Sequence, residues 1–185
     1  ADTYRAIEAL EIKNNKNTFV IGVNGAAIGL NSVNTAIING SIFSDNGNGG
    51  NAYITGGAIY NAGSTLNIAN STFNNNVARG PGKNGGAIYS TGVIKISDTE
   101  FVNNTADNLG GAIYTTKTAN ITGSNFTNNT ADAHGGAVYT TNNLELHNSI
   151  FSENSAETGN GGAVYGTNIK AYDSTFNDNI AAGYG

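Results

Sequence analysis

Residues 110–134 read Gly-Gly-Ala-Ile-Tyr-Thr-Thr-Lys-Thr-Ala-Asn-Ile-Thr-Gly-Ser-Asn-Phe-Thr-Asn-Asn-Thr-Ala-Asp-Ala-His, and the same phrase returns on either side. Gly-Gly-Ala-Ile/Val-Tyr begins at Gly56, Gly85, Gly110, Gly135 and Gly161. Phe-x-x-Asn begins at Phe43, Phe73, Phe101, Phe126, Phe151 and Phe176. The two motifs march in step, one copy every 25 to 30 residues, and a degenerate copy at Gly25-Ala26-Ala27-Ile28 precedes Phe43. A fixed period in this range marks a solenoid, because one unit cannot bury its apolar face alone and stacked copies can.

Aligning the units on the Phe exposes further columns. Seven residues before it stand Ala36, Leu66, Ile94, Ala119, Leu144 and Ile169; five before it stand Ile38, Ile68, Ile96, Ile121, Leu146 and Ala171. These alternate with mostly polar residues, the period-2 signature of a half-buried strand. Two before the Phe lies a Ser/Thr column, and three after it the Asn column Asn46, Asn76, Asn104, Asn129, Asn154 and Asn179. The reading is all-β: a parallel β-helix of about six coils of about 25 residues, with three short strands per coil. Those strands are Gly-Gly-Ala-Ile-Tyr, Leu-x-Ile and Ser-x-Phe. The Asn column is expected at a bend, where Asn tolerates left-handed backbone angles and its amide bonds the next Asn in the stack. The Gly-Gly pair marks a corner needing positive φ or close backbone approach. The frames of leucine-rich repeats and of propeller blades are absent. Segments around Pro81 and over residues 46–51 read as loops bulging from corners.

Composition narrows the function. The 185 residues include 32 Asn and 26 Gly, only 11% are charged, and the net charge is −5. An acidic chain without clustered Lys and Arg argues against nucleic acid as a partner. No apolar run approaches the ~18 residues that would span a bilayer, so no transmembrane segment is expected in this chain. With no Met, Ala1 reads as following a removed leader or an excision. The absence of Cys excludes disulfides, thiolate zinc sites and cysteine nucleophiles.

Repeated Gly-Gly-Ala-Ile paired with Phe-x-x-Asn resembles the chlamydial polymorphic outer-membrane proteins, and adhesin-like right-handed β-helix repeat proteins of bacterial and archaeal surfaces. The resemblance covers residues 25–185. It implies a right-handed coil, export, surface display and often adhesion, while such repeats encode a scaffold and say little about its ligand. No membrane barrel, sorting signal or C-terminal cap is visible, which suggests a section of something longer or a unit that stacks end to end.

Residues 1–24 lie outside the repeat and read as an N-terminal cap or docking arm, with 2–12 as a short helix capped by Thr3 and residues 18–21 as a first strand. The repeat domain is 25–185. Candidate chemistry is sparse. Asp107, Asp132 and Glu157 share one column and would stack about 4.8 Å apart, where hard oxygens would suit Ca²⁺; the bland reading is turn carboxylates in water. His134 and His147 read as solvated or turn histidines. Ser recurs in a column, which fits turn and packing work rather than one activated nucleophile, so no catalytic residue is assigned.

The tyrosine column, Tyr60, Tyr89, Tyr114, Tyr139 and Tyr165, offers the best surface feature. If the adjacent Ile and Val point inward, alternation sends the rings outward as a ladder; if Ala58 and its equivalents are the inward set, the rings are buried. An outward ladder would mark an interaction site. The expected function is a noncatalytic, secreted or cell-surface extracellular protein, adhesin-like, whose lateral face binds a host or neighbouring-cell protein or glycan. The alternatives are a structural subunit that assembles with copies of itself into a fibre, and a polysaccharide-acting β-helix enzyme.

Overall fold

The computed structural model describes residues 4–8, 11–13, 27–31, 34–47 and 54–185. It is an all-β parallel solenoid in which every strand pairing among the described residues is parallel and each position of the repeat meets the equivalent position one coil on. Five full turns separate Phe43 from Phe176, and the paired strand at Glu11–Lys13 adds one rung before them, close to the six coils expected.

The three expected strands all form, but the sheets group them differently. The Gly-Gly-Ala-Ile-Tyr and Leu-x-Ile segments lie in one eleven-stranded sheet and fuse into single strands at Val138–His147 and Val164–Tyr172. The Phe segments, such as Glu100–Val102 and Asn125–Thr127, form a seven-stranded sheet. A third sheet of five two-residue strands, such as Thr105–Ala106, follows the Asn column and was not anticipated. Two residues give no readable alternation, so only the stacked neighbours reveal them as strand.

The core is a set of ladders. Phe43, Phe73, Phe101, Phe126 and Phe151 are fully buried, and with Phe176 they stack at centroid distances of 4.6 to 5.0 Å and within 7° of parallel. Leu66, Ile94, Ala119 and Leu144 with Ile68, Ile96, Ile121 and Leu146 complete the filling.

In the Asn column, Asn46, Asn76, Asn104, Asn129 and Asn154 are fully buried, and the amide-to-amide bonding expected of the column forms. Each amide nitrogen donates to the amide oxygen of the next coil at 2.8 to 2.9 Å. That nitrogen also donates to the Phe carbonyl of the previous coil, as from Asn104 to Phe73 at 2.9 Å. The left-handed backbone falls one residue earlier, at Asp45, Asn75, Asn103, Asn128, Glu153 and Asp178. A second left-handed column, Gly40, Asn70, Asp98, Gly123, Asn148 and Asp173, turns the chain ahead of the Ser/Thr column. Both are held by Gly, Asn, Asp and one Glu, mostly the residues that tolerate positive φ. The Ser/Thr column forms its own ladder, with Thr99 N–H donating to Ser124 Oγ at 3.2 Å and Ser124 Oγ donating to the Thr122 carbonyl at 2.9 Å.

At the N-terminus the helix reading is overturned. Tyr4–Glu8 and Glu11–Lys13 are strands paired with Thr35–Asn39 and Ile42–Ser44. Ile7 and Ile12 take the register of Ile38 and Phe43, so this segment repeats the coil template and adds a rung before the first Phe. The strand expected at 18–21, the 24/25 boundary and most of the 46–51 loop lie outside the described residues. The Pro81 loop forms as expected, with Gly80 and Gly82 at positive φ and Lys83 N–H closing onto the Gly80 carbonyl at 3.0 Å.

Candidate binding face

The tyrosine column is positioned by the Gly-Gly corner. The first Gly of each pair has φ between +66° and +69°. The second has no room for a side chain: a Cβ on Gly86 would collide with the Gly111 carbonyl oxygen and crowd the Thr105 backbone. Beyond the corner the ladder is bulged. Ala87 N–H and Ile88 N–H both donate to the Ala112 carbonyl at 2.9 Å, and the pattern recurs one coil later with Ala137. Two residues therefore face one, a bulge that breaks strict alternation. Ala87 and Ile88 are both fully buried, which resolves the two parity arrangements: Ile and Ala both point inward and the tyrosines lie outward.

Tyr60, Tyr89, Tyr114, Tyr139 and Tyr165 are half-buried against one another. Successive rings stack at 5.3, 4.9, 5.4 and 5.6 Å. Gly29 takes the equivalent position one coil before Tyr60, so the aromatic run starts there. Burial, and then the charge of neighbouring phenolates, holds the Tyr89 and Tyr114 hydroxyls above their ordinary value, so both are neutral at physiological pH.

His134 extends this surface. Its ring stacks on Tyr165 at 4.8 Å, and its Nδ1 accepts a hydrogen bond from Asn160 N–H at 2.9 Å. A His in a glycine-flanked loop carried no sign of this contact, which comes from the next coil. His147 stacks on Tyr172 at 4.8 Å and meets Glu145 Oε1 at 3.1 Å, with its side chain 40% exposed.

Asp107, Asp132 and Glu157 occupy equivalent positions of successive coils, their N–H groups bonded to Ala78, Ala106 and Ala131 carbonyls. The Asp107 carboxylate accepts from Gly80 N–H at 2.7 Å. Desolvation first, and the Asp107 charge second, raise Asp132. Among the described residues no three His, Asp or Glu gather closely enough to hold a metal ion, and none of their helices is long and apolar enough to cross a membrane.

The repeat family described as the Chlamydia polymorphic membrane protein (Chlamydia_PMP) repeat matches residues 70–91, 98–116, 123–141 and 148–167. Each match runs from the turn ahead of a Ser/Thr-x-Phe strand, through the Asn column, to the next Gly-Gly-Ala-Ile/Val-Tyr. No curated protein and no solved structure matched the chain. The matched repeat belongs to a non-enzymatic family associated with the chlamydial surface and outer membrane. With four copies in register and a coil that realises each as one turn, the chain is a parallel β-helix repeat protein resembling the Chlamydia polymorphic membrane proteins.

Proposed function

We propose that this chain is a noncatalytic attachment module displayed outside the cell, and that it binds a protein or glycan of a host or neighbouring cell through its tyrosine face. The observation that carries this reading is the ladder itself. Five stacked rings, joined by His134, form a continuous, flat, half-exposed aromatic strip on a rigid sheet. Tyrosine supplies contact area at low entropic cost, with a hydroxyl at its tip. Stacking has already restricted the rings, so little freedom remains to be lost on binding.

The test is adhesion of the purified chain to cell monolayers and to immobilised glycans, beside a Tyr89→Ser, Tyr114→Ser, Tyr139→Ser triple variant whose circular dichroism matches the parent. Loss of adhesion in the variant supports the reading; undiminished adhesion, or none by the parent, refutes it. End-to-end assembly is the second reading. It rests on Ile169, Phe176 and Ile180 being 40%, 44% and 66% exposed on the last coil, where a further coil or a second copy would cover them. Concentration-dependent filaments under negative-stain electron microscopy would support it, and monodisperse rods would refute it.

A further inference from the structure

A few residues beyond the tyrosines, the same sheet carries a second outward column: Ile37, Asn67, Lys95 and Asn120 on consecutive rungs. Two residues further along each strand, the next outward position holds Ala69 and Ser97, with Asn39, Thr122 and His147 on the flanking rungs. The two small side chains leave a groove of about 450 Å³ across these strands.

Three features define what fits it. Lys95 is exposed and makes no hydrogen bond or ion pair among the described residues; the nearest carboxylate in its own column, Glu145, lies two rungs away and faces Lys170 across the register. The Asn67 side chain lines the groove and makes no hydrogen bond among the described residues; its Oδ1 is closed off from solvent, so it meets a ligand through its amide nitrogen, which can donate to a hydroxyl oxygen. Ile37 and Ala69 give one end an apolar floor. The rungs are ~4.8 Å apart, about the length of one pyranose ring.

An extended peptide has no backbone ladder to join here, since coil-to-coil pairing already uses the N–H and C=O groups of these strands. An occupant must be read by side chains alone: amides, a hydroxyl and one cation. We propose that this groove binds a short acidic saccharide. Its carboxylate sits on the Lys95 ammonium, its hydroxyls meet the Asn67 and Asn120 amides, and an apolar ring face lies over Ile37 and Ala69. The site is separate from the tyrosine ladder and does not rest on the ladder's role.

The experiment titrates the ¹⁵N-labelled chain with trigalacturonate, a hyaluronan tetrasaccharide and 3′-sialyllactose, beside the neutral galactose trimer and tri-aspartate. At least one acidic saccharide should give saturable shifts at the Lys95, Ser97 and Asn120 amides, and they should weaken in high salt. The neutral trimer should bind about 5-fold more weakly. Lys95→Gln should weaken binding by a similar factor, with unchanged unfolding, and Lys95→Arg should restore most of it. The proposal is overturned if none of the three acidic saccharides binds, if the neutral trimer binds equally, or if Lys95→Gln changes nothing. Equal binding of tri-aspartate would also overturn it, by showing that the cation reads any carboxylate.

Discussion

Replacing Asn104 by Ala cuts the buried amide ladder at its middle. The side chain takes part in four hydrogen bonds. Its Oδ1 accepts from Asn76 N–H at 3.0 Å and Asn76 Nδ2 at 2.9 Å, and its Nδ2 donates to the Phe73 carbonyl and to Asn129 Oδ1, both at 2.9 Å. At a net worth of about 1 kcal/mol for each bond, the loss is about 4 kcal/mol. That is a large share of a domain's stability. Asn179→Ala on the last coil removes three such bonds in a partly exposed setting and should cost less. Asn125→Ala, on an exposed strand position, should stay within about 0.5 kcal/mol. Urea unfolding followed by circular dichroism supplies the values. Because coils contact chiefly their neighbours, hydrogen exchange at the Asn76 amide reports the local opening directly. A loss under about 1 kcal/mol for Asn104→Ala, or one no greater than for Asn125→Ala, would refute the claim that the ladder holds the coils together.

The corner should be equally intolerant. Gly86→Ala forces a Cβ onto the Gly111 carbonyl and should cost about 3 kcal/mol, whereas Gly63→Ala meets nothing within 4 Å and bears only the positive-φ penalty of ~1 kcal/mol; paired unfolding curves compare them. The fold raises Asp132 above its ordinary 3.8, so its contribution is full below that pH and is lost as pH rises through the raised value. Asp132→Asn should therefore stabilise the chain at pH 7 and have no such effect near pH 3, as followed by thermal melts. Tyr89 and Tyr114 are raised above 10.0, so their neutral stacking is retained below that pH and stability falls as pH rises through their folded values. Phenolate absorbance and circular dichroism measured together should show late ionisation coinciding with loss of structure.

The repeat period, the parallel stack and the Phe and Asn ladders were legible in the sequence, since in-register stacking places each residue on its own copy and a column in the alignment becomes a column in space. The template even reached the N-terminus, where Ile7 and Ile12 keep the spacing of Ile38 and Phe43, but the apolar pattern of residues 2–12 also satisfies a helix, and only pairing with the next coil selects the strand. Tertiary structure decided what depends on more than one coil. The bulge at Ala87 and Ile88 turned the tyrosines outward, because two N–H groups share one carbonyl. The two-residue strands exist only through their neighbours. The groove beside Lys95 arises where Ala69 and Ser97, 28 residues apart in the chain, become adjacent small residues on a sheet face. Periodicity fixes which residues meet, but the depth of a surface and the partners of a charge follow from volumes and distances that no single column contains.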